Sequence, residues 1–270
     1  MSGASAPRPA VCCDLDGVIW RGEQTIAGAA DGVERLRAAG LRIGFVSNNS
    51  SQPVREVVAK LVAAGVPAEP ADVVTSALAA ASLLRSSLEP EARVLACAGP
   101  GVVEALAQAR LRAVREPPAE AVVVGFHRDF DFDELDRASA AVRAGARFIA
   151  TNLDATYPVA GGMVPGSGAI AAAVATASGR APEVAGKPEP PMVELVRARL
   201  GETGVVIGDR PSSDGVLADA LGWPFALVLS GVAGTPAPPG GEPVPDPPPP
   251  FVADDLGALA PVLVAALAAS

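Results

Sequence analysis

The chain has 270 residues, half of them hydrophobic, 19% charged and a formal net charge of −9. That is long enough to bury a large core in one large or two modest domains. The acidic balance argues against nucleic acid as a partner, because such affinity comes from clustered Lys and Arg that release counterions. An anionic substrate would need a local cation to overcome the overall field.

The segment Met1 to Ala10 shows no apolar stretch ahead of a cleavage site, so no secretory signal is expected. The apolar stretches Ala169 to Ala177 and Pro261 to Ala269 are far shorter than the ~20 residues of a membrane span. No membrane partner and a cytoplasmic location are therefore expected. Cys12, Cys13 and Cys97 suit neither a disulfide framework nor a zinc spacing and read as small buried hydrophobes.

In chain order, apolar runs of strand length are expected at Ala10 to Cys13, Arg42 to Val46, Arg93 to Ala96, Ala121 to Val124, Arg147 to Ala150, Val205 to Ile207 and Phe225 to Leu229. Helical patterns fall between many of them, at Ala29 to Ala39, Pro53 to Ala64, Gly101 to Ala109, Asp133 to Ala144 and Pro191 to Leu200. The alternation predicts an α/β fold with mostly parallel sheets. A Pro- and Gly-rich loop is expected at Thr235 to Pro250, then a short strand and a closing helix from Phe251 to Leu267.

Ligands of such sheets gather beyond the carboxyl ends of the strands. Four polar segments qualify: Asp14-Leu15-Asp16-Gly17, Ser47-Asn48-Asn49, Gly186-Lys187-Pro188, and Gly208-Asp209 through Asp214. Their residue types fit hydrolysis of a phosphate ester. Asp14 is placed as a nucleophile that takes the phosphoryl group, and Asp16 as the acid that protonates the leaving alkoxide and then the base that activates water. Gly17 allows the backbone to turn closely. Asp209 and Asp214 offer carboxylates for magnesium, which prefers oxygen ligands. Ser47, Asn48 and Asn49 offer donors for phosphoryl oxygens, and Lys187 a point charge. The chain has only two lysines, Lys60 and Lys187, in an Arg-biased composition, so a Lys between Gly and Pro points to a specific need.

Blander roles compete at several positions. A calcium loop starting at Asp14 fails, because Val18 and Ile19 stand where an oxygen ligand and a Gly are required. Gly99-Pro100-Gly101 and Gly166-Ser167-Gly168 do not complete a dinucleotide fingerprint. His127 is expected in a structural or surface role as readily as in a substrate contact, and not as a catalytic residue.

Asp14-Leu15-Asp16-Gly17-Val18, Ser47-Asn48-Asn49-Ser50, Gly186-Lys187-Pro188 and Gly208-Asp209-Arg210 to Asp214 resemble, in order, the four motifs of the haloacid dehalogenase superfamily. IATNLDATYP at Ile149 to Pro158, PGSGAI at Pro165 to Ile170 and LVLSGV at Leu227 to Val232 make the resemblance closer to its class IIA phosphatases, such as the p-nitrophenylphosphatase-like, pyridoxal-phosphate and phosphoglycolate phosphatases. The resemblance implies a Rossmann-like core with an inserted α/β cap of the C2 type. It also implies Mg2+ as cofactor, held by Asp14, the backbone carbonyl of Asp16, Asp209 and Asp214, with Ser47 and Lys187 binding the transferring phosphoryl group. A small phosphorylated metabolite is the implied substrate: a sugar phosphate, glycerol phosphate, phosphoglycolate, nucleoside monophosphate or pyridoxal phosphate. A homodimer through the cap is the implied assembly.

The interval from Ser47 to Lys187 has room for a separate domain of about a hundred residues. The expected organisation is a catalytic core at 1–80 and 183–270, with a cap at 81–182. Arg128, Asn152, Asp154 and Tyr157 are its candidate substrate contacts. A phosphomutase on the same core is disfavoured because its cap would lie in the short interval between Asp14 and Ser47. A phospho-accepting receiver runs to roughly half this length, and a silent binding protein would be expected to lack one of the four carboxylates.

Overall fold

A computed structural model describes residues 9–159, 162–234 and 241–268, apart from the side chains of 158, 159 and 268. Its chain falls into two compact units. One takes the residues up to Val46, Leu61–Asp72 and those from Val196 on; the other takes Ser47–Lys60 and Val73–Leu195.

In the first unit the expected apolar runs form a parallel sheet. Its strands stand side by side in the order Phe251–Ala253, Phe225–Val228, Gly204–Gly208, Ala10–Cys13, Arg42–Ser47. Cys13 is in register with Ile207 on one side and Phe45 on the other, so the chain leaving Ala10–Cys13 emerges beside the chain leaving Gly204–Gly208. Ala10–Cys13 and Phe225–Val228 are buried at every position, which is why they read as unbroken apolar runs rather than as alternating patterns. Helix Ala29–Ala38 packs against the closing helix Leu256–Ala268. The short ribbon Trp20–Arg21 with Gln24–Thr25 follows the first strand.

The second unit carries its own parallel sheet, in the order Glu183–Val184, Arg147–Ala150, Ala121–Val124, Arg93–Cys97, Arg112–Val114. Leu95, Val122, Val142, Phe148 and Val174 are part of the core that helices Phe132–Arg143 and Ser167–Ser178 complete. An antiparallel ribbon pairs Thr156–Val159 with Gly162–Pro165.

More structure lies between Ser47 and Lys187 than the three apolar runs announce. Val73–Thr75, Arg112–Val114 and Glu183–Val184 are also strands, and Ser76–Arg85 and Ser167–Ser178 are helices. The strands are too short to carry a periodicity, and Ala-rich helices blur their apolar face. The loop expected at 235–250 lies partly outside the described residues; beyond them Glu242 accepts from the backbone N–H of Ser212 at 2.9 Å.

Candidate active site

In the first unit the polar residues that follow two adjacent strands meet. One carboxylate oxygen each from Asp14, Asp209 and Asp214 lies within 4.8 Å of the others, and all three residues are buried. Three charged carboxylates are not buried together without a compensating cation or proton. The donor set is all oxygen and anionic, so these residues fit magnesium, which takes oxygen ligands from carboxylates and keeps some of its water.

Local structure holds each member. Asp14 follows the last residue of Ala10–Cys13, and its N–H donates to the Ile207 carbonyl at 2.9 Å. The chain then folds back on itself, with Ile19 N–H on the Leu15 carbonyl at 2.8 Å and Gly17 N–H on the Trp20 carbonyl at 2.7 Å. Asp209 follows Gly204–Gly208, and its Oδ2 accepts from Val232 N–H at 2.7 Å. Asp214 sits in the helical turn Pro211–Gly215, where its Oδ2 accepts from Arg210 N–H at 3.1 Å. Asp16 stands outside the trio; its Oδ1 accepts from Trp20 Nε1 at 3.1 Å, which fixes the carboxylate two residues beyond Asp14.

Gly17 has φ 87°, in the left-handed region, and a β-carbon built on it would overlap the Asp209 carboxylate. Both effects oppose any side chain there. Gly17→Ala is expected to strain the backbone by about 1–2 kcal/mol and to push Asp209 aside, weakening magnesium binding at least tenfold in a calorimetric titration.

Ser230, Gly231 and Val232, in the loop after Phe225–Val228, are functional neighbours that residue-type reasoning missed. Ser230 Oγ donates to the Gly17 carbonyl at 2.7 Å, a β-carbon on Gly231 would overlap Asp209, and Val232 supplies the N–H named above. Their only signal in the sequence is a small polar segment straight after an apolar strand, within the stretch LVLSGV.

The other candidates are gathered in the second unit. Asn48 is tied twice to the backbone of Lys187: its Oδ1 accepts from Lys187 N–H at 2.8 Å and its Nδ2 donates to the Lys187 carbonyl at 3.2 Å. The Asn48 carbonyl accepts from Ser76 Oγ at 2.6 Å and Asn152 Nδ2 at 2.7 Å. The Asn48 amide is thus engaged in positioning the Lys187 segment. Lys187 itself is buried.

Ser47 Oγ accepts from Asn49 N–H at 3.0 Å, which shapes the turn after Arg42–Ser47. Asn49 accepts from Ser51 N–H at 2.9 Å and donates to the Tyr157 hydroxyl at 3.3 Å, and the Tyr157 ring stacks on Phe126 at 4.9 Å between centroids. Asn152 also accepts from Asp154 N–H at 3.0 Å. Arg128 is exposed and joins neither set.

Comparison with known proteins supplies independent findings. The profile of haloacid dehalogenase-like hydrolases matches residues 11–112, and that of HAD-hydrolase-like proteins matches 184–259. D-glycerol 3-phosphate phosphatase of Mycobacterium tuberculosis is 41% identical over 222 residues, which are 81% of this chain and 62% of that protein; the match therefore spans less than two thirds of that relative's length. Acid sugar phosphatase of Staphylococcus haemolyticus is 37% identical over 81% of this chain and 84% of its own. The crystal structure of the Mycobacterium tuberculosis glycerol phosphate phosphatase in complex with magnesium superimposes with a TM-score of 0.82 at 37% identity, covering 93% of this chain and 76% of the other.

Proposed function

The chain belongs to the haloacid dehalogenase-like hydrolases, and on that premise we propose that it is a magnesium-dependent phosphatase that hydrolyses a small phosphorylated metabolite through a phosphoryl group carried on Asp14. The observation that carries this reading is the buried trio Asp14, Asp209 and Asp214, three oxygen donors within 4.8 Å of one another, Asp14 and Asp209 directly after adjacent parallel strands and Asp214 in the helical turn that follows.

Magnesium held by these carboxylates supplies the positive charge that lets an anionic nucleophile approach an anionic phosphate. A carboxylate oxygen of Asp14 forms a bond to phosphorus as the ester P–O bond breaks. Asp16 gives its proton to the departing alkoxide. Asp16, now ionised, takes a proton from water, whose oxygen displaces Asp14 from phosphorus and releases inorganic phosphate. Trp20 holds the Asp16 side chain through both steps. The Ser47 hydroxyl and the Lys187 ammonium bind phosphoryl oxygens and stabilise charge that grows in the transition state, and Asn48 positions Lys187 for it.

Residues 81–182 act as the cap that selects the ester and restricts water, and residues 1–80 and 183–270 form the catalytic core. Arg128, exposed and cationic, and Asn49 contribute substrate contacts. Phosphorylated polyols and sugars head the substrate class, supported by the names of the similar proteins. A homodimer through the cap is the assembly we assign. Cytoplasmic residence is supported by three buried cysteines with no disulfide among them. No helix of the described residues is long and apolar enough to cross a membrane.

The test is phosphate release from p-nitrophenyl phosphate, glycerol 3-phosphate and a panel of sugar phosphates, with magnesium or with excess chelator. Release that requires magnesium and ranks glycerol or sugar phosphates highest supports the assignment. Equal release in chelator refutes the metal dependence, and inactivity of the folded, magnesium-loaded protein toward every ester refutes the activity.

A further inference from the structure

Besides the acidic trio, one more set of metal-ligating side chains comes together among the described residues. Cys97, His127 and Glu134 each bring a ligand atom to within 4.8 Å of the other two. Cys97 ends the strand Arg93–Cys97, His127 follows the neighbouring strand Ala121–Val124, and Glu134 lies in the first turn of helix Phe132–Arg143. All three belong to the second unit. Cys97 is part of its apolar core, packed with Val124, Ala138 and Val142.

The hydrogen bonds of the imidazole fix its tautomer. Nδ1 lies 3.0 Å from the Gly125 carbonyl oxygen, which can only accept, so Nδ1 carries a proton. Nε2 lies 2.7 Å from Glu134 Oε2, so in the metal-free protein a second proton lies between them. A cation in place of that proton would find the Nε2 lone pair, a carboxylate oxygen and a thiolate around it. Donation of the other ring N–H to a backbone carbonyl is the usual support of a metal-binding histidine. Phe130 meets the imidazole edge to face, with centroids 5.8 Å apart, and steadies the ring.

We propose that Cys97, His127 and Glu134 bind a divalent cation of borderline softness, zinc above all, at a second metal site made of residues that the phosphatase reaction does not use. Sulfur and imidazole donors select zinc over magnesium, for which Glu134 is the only suitable ligand here. Burial pushes the Cys97 thiol up, and the Glu134 carboxylate adds to the effect, so the thiol stays protonated until a cation arrives. A divalent charge then balances the thiolate and Glu134 together. Tetrahedral zinc ligands stand about 3.3–3.5 Å apart, so the His127–Glu134 pair opens slightly to admit the ion. The side chains of His127 and Glu134 are 10% and 21% exposed, which gives the ion an entry from solvent. The bound ion would tie two strand ends to the start of a helix, adding stability to this unit without entering the chemistry.

The test uses the full chain, stripped of metal, saturated with magnesium and then titrated with cobalt(II) as a coloured stand-in for zinc. The expected result is one equivalent of cobalt that shows sulfur-to-metal charge-transfer absorption in the near ultraviolet and is displaced by zinc. Cys97→Ser loses that absorption, Cys12→Ser keeps it, and His127→Ala weakens zinc at least about tenfold. Should His127→Ala fail to fold, Glu134→Gln must weaken zinc to the same extent. Absence of thiolate absorption at stoichiometric cobalt, or its persistence in folded Cys97→Ser, overturns the proposal.

Discussion

Asp14→Asn is expected to lower kcat for any accepted phosphate ester at least about a thousandfold, the scale on which loss of a covalent nucleophile is felt. Asn matches Asp in shape, and the Asp14 N–H bond to the Ile207 carbonyl is a backbone contact that the substitution leaves in place. The variant should therefore keep its fold, as circular dichroism would show. Asp14 is also one of the three clustered carboxylates, so on the proposed mechanism the substitution removes a nucleophile and a metal ligand together. Magnesium concentration separates the two losses. Raising it restores metal occupancy, and turnover should level off at the same low floor. Recovery toward the wild-type rate in high magnesium would reduce Asp14 to a ligand.

Stability should depend on magnesium almost as strongly. Asp14, Asp209 and Asp214 are 8%, 5% and 1% exposed, so little water screens their mutual repulsion. A cation that binds the folded cluster and not the unfolded chain stabilises the fold by about 2.7 kcal/mol at a hundredfold its Kd. For a chain of this size that corresponds to a rise in Tm of about 5–10 °C in the transition of the unit carrying the trio. Asp214→Asn removes one of the three charges and can still accept from Arg210 N–H, so its magnesium-induced rise should shrink to a small fraction of the wild-type one. Calorimetric scans with magnesium and with chelator read the difference directly. A wild-type melt that magnesium does not move would mean that the cluster holds no cation.

Much of the architecture is legible in the sequence because these sheets are parallel. Ala121–Val124 and Ala10–Cys13 are buried at every position, and a strand covered on both faces declares itself as an apolar run bounded by polar residues. The same rule locates Asp14 and Asp209, since the residue after such a run lies at the carboxyl edge where ligands gather. What stays hidden depends on contacts distant in sequence. Asn48 reads as a phosphate donor, yet its amide is engaged by the backbone of Lys187, 139 positions away. The helix Ser76–Arg85 is built mostly of Ala, Ser and Leu, whose small side chains give a weak stripe. Cys97, His127 and Glu134 are individually unremarkable, and only the sheet order that sets Arg93–Cys97 beside Ala121–Val124 brings them together.

The phosphoryl group on Asp14 can be sought during turnover. Asp16→Asn is suited to this, because without its base the second displacement slows more than the first when the leaving group is a good one such as p-nitrophenolate. The variant is mixed with a labelled aryl phosphate and magnesium, quenched in acid, digested and mapped by mass spectrometry. A phosphoryl group on Asp14, formed as fast as the first equivalent of phenolate is released and absent from Asp14→Asn, is the result this account predicts. Phenolate release and phosphate formation in step, with no phosphoryl group on the chain at any time, would contradict it.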